Sequence, residues 1–306
     1  MDDIEKFLHY LRYEVNRAAN TVTAYDRDLR LMVNFMTGGH PENFSASDVT
    51  TSDIRAWLSD MGRRGEQPSS IRRRTLAVRS FYKYLQRRGV VINNPAHAIT
   101  LAKLSKPLPH FIKEDELERL LSELSERMSI CPDDIMTARD HLVIHLLYAT
   151  GMRRAEAIGL TDADVSRERR ELRIFGKGRK ERIVPIAEEL CAEISRWQVM
   201  RDNQWPDLPR PAHLIATAHG GMTDTMIGKI VKRLLGSTST DKKSAHTLRH
   251  SFATSMLNGG AELDCVREML GHTSVSTTQI YTHLTVDELR RQYDRAHPRS
   301  PHSKDR

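Results

Sequence analysis

The sequence predicts a mainly α chain with a small β-hairpin (α+β), in which an N-terminal helical bundle precedes a larger mixed domain. Three observations lead there. Apolar residues recur at helical spacing through roughly the first hundred positions. One stretch, residues 171–186, instead alternates like a strand pair around a glycine-rich turn. The chain has 306 residues, room for two cores at about 150 residues per domain, and prolines 95, 107 and 109 punctuate it between the helical and mixed parts.

Ile4, Phe7, Leu8 and Leu11 form the first apolar stripe. A second helix, capped by Asn20 or Thr21, buries Val22, Tyr25, Leu29, Met32 and Val33. Ser52-Asp53 opens a third, with Ile54, Trp57, Leu58 and Met61. A fourth starts at Ser69 or Ser70, buries Ile71, Val78, Phe81, Tyr82 and Leu85, and stops at Gly89. These give a first domain over 1–105 and a linker over 106–110, with a second domain over 111–297 and a tail over 298–306. The second domain opens with an acidic first turn at Lys113-Glu114-Asp115-Glu116, as a helix dipole favours. A buried helix then runs into Gly151. After the hairpin, helices are expected near 187–201, 223–235, 247–258, 262–270 and 285–295.

Composition narrows the function. Lysine and arginine number 47 against 40 aspartates and glutamates, a formal charge of +7, which favours a polyanionic partner. No run approaches the roughly 18 apolar residues of a membrane span, and the acidic start Met1-Asp2-Asp3-Ile4-Glu5 lacks a signal peptide's basic and apolar regions. Cys131, Cys191 and Cys265 are too scattered for a disulfide framework or a CxxC zinc site, so all three are expected as buried small side chains in a reducing cytoplasm. The charge is concentrated: Arg63, Arg64, Arg72, Arg73, Arg74, Arg79, Lys83, Arg87 and Arg88 are opposed within their stretch by Glu66 alone. Arg72, Arg73, Arg74, Arg79 and Lys83 are the expected contacts to double-stranded DNA, because an unpaired basic helix neutralises phosphates and releases their counterions.

Phosphoryl transfer needs a nucleophile, cations for the developing charge and an acid for the leaving oxygen. A metal nuclease would supply clustered carboxylates, and the sequence offers cations and imidazoles instead. His246-Thr247-Leu248-Arg249-His250 sets His246 and Arg249 on one helix face. Its histidine spacing resembles HExxH, but Thr247 replaces the glutamate and Arg249 repels a cation. Phosphate is the better ligand there. Arg153 opens a helix after Gly151, where amides and guanidinium together suit an anion. Lys177 sits between Gly176 and Gly178, His272 follows Gly271 at a helix stop, and Tyr281 lies nine residues further on. Each has an ordinary structural explanation alone, but six such groups in one domain point to a common site.

Taken as a set, Tyr148-Ala149-Thr150-Gly151-Met152-Arg153, Gly176-Lys177-Gly178, His246-Thr247-Leu248-Arg249-His250, Leu270-Gly271-His272 and Ser276-Thr277-Thr278-Gln279-Ile280-Tyr281-Thr282-His283 resemble the signature boxes of the tyrosine recombinases (phage integrase family), closest in phrasing to the Xer type. The tail Ala296-His297-Pro298-Arg299 is similar too. The resemblance implies a core-binding (SAM-like) first domain and a catalytic second one. It implies Tyr281 as nucleophile forming a 3′-phosphotyrosyl link, with Arg153, Arg249 and His272 holding the phosphate oxygens. His246 would assist the tyrosine proton and Lys177 would protonate the 5′-oxygen, with Lys180 its rival. Glu156 would brace the arginine box. Arg154 and Ala155 depart from the family's aliphatic and hydroxyl residues, and Arg154 is expected to reach a phosphate.

That chemistry requires neither metal nor ATP and no cofactor. It implies a homo- or heterotetramer on a DNA recombination site, with a sister recombinase and a DNA translocase activator as family-level partners and no membrane association. Resolution of chromosome or plasmid dimers in the cytoplasm is the leading role. A mobile-element integrase, or less readily a type IB topoisomerase, is the alternative.

Overall fold

Four amphipathic stripes on one short chain segment have to close on each other to leave water, and they do so as a bundle. The computed structural model describes residues 2–101, 111–176, 180–271 and 285–299 and comprises two compact units, Met1–Pro107 and Leu108–Arg306. In the first unit, α1 (Asp2–His9) continues into a wider π-type turn, Tyr10–Glu14, and is followed by α2 (Ala19–Met36), α3 (Thr51–Arg63) and α4 (Pro68–Arg87). Phe7, Leu29, Met32, Ile54 and Phe81 are fully enclosed, and Phe7 meets Phe81 edge-on with ring centres 5.5 Å apart. Burial of large apolar side chains, at about 1.5–3 kcal/mol each, is what holds helices too short to persist alone.

The helix starts differ from the expected ones in a consistent way. α3 begins two residues early on a capping box: the Thr50 hydroxyl accepts from the Asp53 amide, and the Asp53 carboxylate accepts from the Thr50 amide at 2.8 Å. α4 starts at Pro68, a residue pre-set for the first helical position, rather than at Ser69 or Ser70. α2 starts at Ala19 with no side-chain cap from Asn20 or Thr21.

In the second unit α5 (Glu114–Ile130) and α6 (Ile135–Thr150) lead into a short α7 (Arg154–Gly159). α6 is buried along its whole length from Ala138 to Thr150, because α5, α8, α9 and α10 pack around it. The sheet has three antiparallel strands in the order β1 (Val165–Ser166), β2 (Glu171–Phe175), β3 (Glu181–Pro185), with Leu172 opposite both Val165 and Val184. The sequence pattern suggested only its hairpin, since a two-residue strand carries no readable period. α8 (Glu188–Gln204) is followed by a minimal pair, β4 (Ala216–Thr217) with β5 (Gly220–Gly221), then α9 (Asp224–Leu234), α10 (Ala245–Asn258), α11 (Leu263–Leu270) and α12 (Val286–Ala296). Among the described residues, no helix is long and apolar enough to cross a membrane.

One cysteine expectation fails. Cys191 and Cys265 are buried, whereas Cys131 is exposed, because it lies just past the end of α5, where the chain has left the core.

Candidate active site

Two helix ends define the site. α6 terminates at Gly151 and α11 at Gly271, both in the left-handed region, with φ of 58° and 63°. At Gly151 no other residue fits, since a Cβ would lie 2.4 Å from the Phe252 ring. These turns leave carbonyls without helical partners, and three arginines take them. Arg182 Nε donates to Met269 O at 2.7 Å, and Arg249 Nη2 donates to Leu270 O at 2.6 Å. Arg153 Nη2 donates to Gly271 O at 3.4 Å. Arg249 also donates through Nη1 to Gly151 O at 2.7 Å, tying the two helix ends together.

Among the described residues Glu156 is the only carboxylate bonded to any of these guanidinia, and it takes two of the three, Arg182 and Arg153. It is buried and accepts from Arg182 Nη2 at 2.7 Å, Arg153 Nη1 at 2.8 Å and the Arg153 amide at 2.8 Å. Burial alone would raise its pKa, but the bonds from Arg182 and Arg153 outweigh burial and hold it below the usual carboxylate range. Of the backbone amides at this helix start, that of Arg153 is taken from within, because the carboxylate of Glu156 accepts it. Arg249 is buried, and burial together with the repulsion of Arg153 lowers its pKa to about 10, still charged at neutral pH. Three guanidinia against one carboxylate leave a positive site whose unspent attraction suits an anion.

Of the six residues expected in catalysis, the structure brings Arg153 and Arg249 onto adjacent carbonyls. Arg153 remains about half exposed, with a side-chain exposure of 46%, so its guanidinium is open to a ligand. His246 is exposed on α10, its ring 4.5 Å from that of His250. His250 is partly buried, and burial followed by its neighbours His246 and Arg249 pushes its pKa down. Lys177, His272 and Tyr281 lie outside the described residues. Lys180, the rival acid, is exposed, and its carbonyl accepts from the Gly176 amide at 2.8 Å. Arg154 is bound by Asp224 of α9, so the expected phosphate contact gives way to an ion pair. Arg182 was missed. Its signal was strand parity, because Arg182 shares the inward face of β3 with Val184, and an arginine facing inward needs acceptors.

The basic helix is also less free than its sequence suggests. Within its own stretch Glu66 is the sole acid, but Asp28 of α2 also faces the helix: it is fully buried, accepts from Arg73 and lies 3.5 Å from Arg74 Nε. Burial raises the Asp28 pKa despite the two arginines. Arg74 is bonded to Glu66 at 2.6 Å and is mostly buried. Arg79 does not project freely into solvent, because it donates to the carbonyls of Ala96, His97 and Ile99 and fastens the chain after α4. Lys83 is exposed.

The order of these parts, a helical bundle followed by a mixed unit with arginines gathered at two helix ends, is that of the DNA strand-exchange enzymes that work through an active-site tyrosine. Residues 4–89 match the phage integrase N-terminal SAM-like domain, and residues 110–288 match the phage integrase family itself. The chain belongs to that family and is an Xer-like tyrosine site-specific recombinase. It is 38% identical to the tyrosine recombinase XerC of Chlorobaculum tepidum, covering 96% of this chain and 94% of that one. It is 34% identical to the tyrosine recombinase XerD of Halalkalibacterium halodurans, covering 98% of each. Among solved structures, the XerH recombinase bound to its difH substrate in a pre-cleavage complex superposes with a TM-score of 0.67 at 25% identity, covering 94% of this chain and 82% of that one.

Proposed function

We propose that this recombinase cleaves one DNA strand by attack of the Tyr281 hydroxyl on the scissile phosphorus. The attack forms a 3′-phosphotyrosyl link and releases a 5′-hydroxyl. Arg153 and Arg249 hold the non-bridging oxygens and His272 adds a further hydrogen bond. His246 accepts the tyrosine proton, which an ordinary phenol pKa near 10 retains at neutral pH. Lys177 on the β2–β3 turn protonates the leaving oxygen. The observation that carries this reading is the seating of Arg153 and Arg249 on the consecutive carbonyls of Gly271 and Leu270, immediately before His272 in the chain. Guanidinia fixed in advance stabilise the charge of the transition state without reorganising as it forms.

The phosphotyrosine conserves the energy of the backbone bond, so a 5′-hydroxyl from a partner duplex reseals it without ATP or metal. Two such rounds pass through a Holliday junction and engage four protomers. Full-length likeness to both XerC and XerD supports resolution of chromosome or plasmid dimers as the role. The test is a nicked suicide duplex carrying a dif-type site, incubated with the protein in chelator and run on a denaturing gel. A covalent protein–DNA band lost in Tyr281→Phe is expected. A band that persists in Tyr281→Phe, or one that requires magnesium, would overturn the scheme.

A further inference from the structure

A second constellation lies outside the arginine site. His141 and His145 stand one turn apart on α6, and both rings turn toward Glu193 of α8. His141 Nδ1 is 2.6 Å from Glu193 Oε1, and His145 Nδ1 is 2.6 Å from Glu193 Oε2. All three residues are buried. Two ring nitrogens and a carboxylate thus converge on a common space, which either the Nδ1 protons or one divalent ion can occupy.

We propose that His141, His145 and Glu193 form a binding site for a divalent transition-metal ion, zinc foremost, that ties α6 to α8. The donor set favours it: two imidazoles and one carboxylate are ligands of the zinc and first-row transition-metal class. The three ligand atoms lie within 4.8 Å of one another. Each ring presents Nδ1 to the carboxylate, so Nδ1 is the atom placed to ligate, and Nε2, buried without a hydrogen-bond partner among the described residues, would then carry the ring proton.

Tetrahedral zinc with bonds of about 2.0–2.1 Å sets its ligands about 3.3 Å apart, so the triad has to open slightly around the ion. Glu193 also borders a cavity of about 60 Å³, lined by Ala138, Arg196, Trp197 and Met200 and by neither histidine, so its carboxylate has space to withdraw on that side. The site is distinct from the strand-exchange chemistry, and α6 connects the two by ending at Gly151, whose carbonyl holds Arg249.

The test uses the full chain, stripped with chelator and titrated with Co²⁺ at neutral pH, then with Zn²⁺ in competition. One equivalent bound with the visible absorption of low-coordinate cobalt is expected. Long-range ¹H–¹⁵N spectra of the unaltered chain should show two histidine Nδ1 signals moving with that equivalent. Glu193→Gln and His145→Asn should each weaken binding by about 100-fold or more, a loss at least as large as that for groups supporting a ligand, while His246→Asn leaves it intact. Failure to bind one equivalent overturns the proposal, as does binding that moves only the His246 and His250 signals. The spectra of the unaltered chain decide the matter even if a variant fails to fold.

Discussion

Arg182 of β3 and Glu156 of α7 meet as a buried ion pair at 2.7 Å, each with side-chain exposure of 6% or less. Through that pair the sheet positions the arginine that opens α7, because the same carboxylate holds both the guanidinium and the amide of Arg153. Removing one partner leaves a buried charge uncompensated. Glu156→Ala should therefore cost about 3 kcal/mol of stability, read as a lower urea midpoint with an unchanged slope, and should slow cleavage as Arg153 loses its anchor.

Arg249 spends each terminal nitrogen on a different helix end, Gly151 O and Leu270 O. A lysine offers one point charge and no fork. Arg249→Lys should lower the rate of covalent-complex formation by about 100-fold or more, in line with loss of a fixed transition-state donor, while a mobility-shift assay still detects DNA binding.

Gly151 combines a left-handed backbone with direct contact to Phe252 and Leu270. Gly151→Ala should destabilise the protein by about 2 kcal/mol or more, from backbone strain and overpacking together. Calorimetric unfolding measures it, and an unchanged transition would refute the close packing of α6 against α10 and α11.

On α4, Lys83 and Arg79 should separate cleanly. Lys83 is exposed, so Lys83→Ala should leave stability unchanged and reduce the slope of log affinity against log salt by about 0.9, one phosphate contact. Arg79→Ala should instead lower thermal stability, because the carbonyls of Ala96, His97 and Ile99 lose their donor.

His297 is fully buried, its ring stacked on Tyr293 at 4.7 Å. Burial first, then His145 and Arg299, lowers its pKa to about 3. The native state thus binds this proton less readily than the unfolded chain, whose histidine titrates near 6.5. The associated stability is fully present above about pH 6.5 and is lost as pH falls from there toward 3. Between pH 6.5 and 5 the loss should reach about 2 kcal/mol. Equilibrium unfolding across that range should show the decline, and His297→Gln should flatten it.

Local periodicity alone specified most of this molecule. The four bundle helices, the buried α6, the β2–β3 hairpin and the later helices all follow from apolar spacing, because that spacing decides which face each segment must hide. The signature boxes likewise single out Arg153, His246 and Arg249 as site candidates within the sequence. Tertiary structure decided the pairings. Nothing local assigns Arg73 to Asp28, 45 residues away, Arg182 to Met269, 87 residues away, or Glu193 to two histidines on another helix. A charge run in sequence looks solvated because its partners are distant along the chain. Burial then forces each polar group to find one, since an unpaired charge away from water costs more than any local preference.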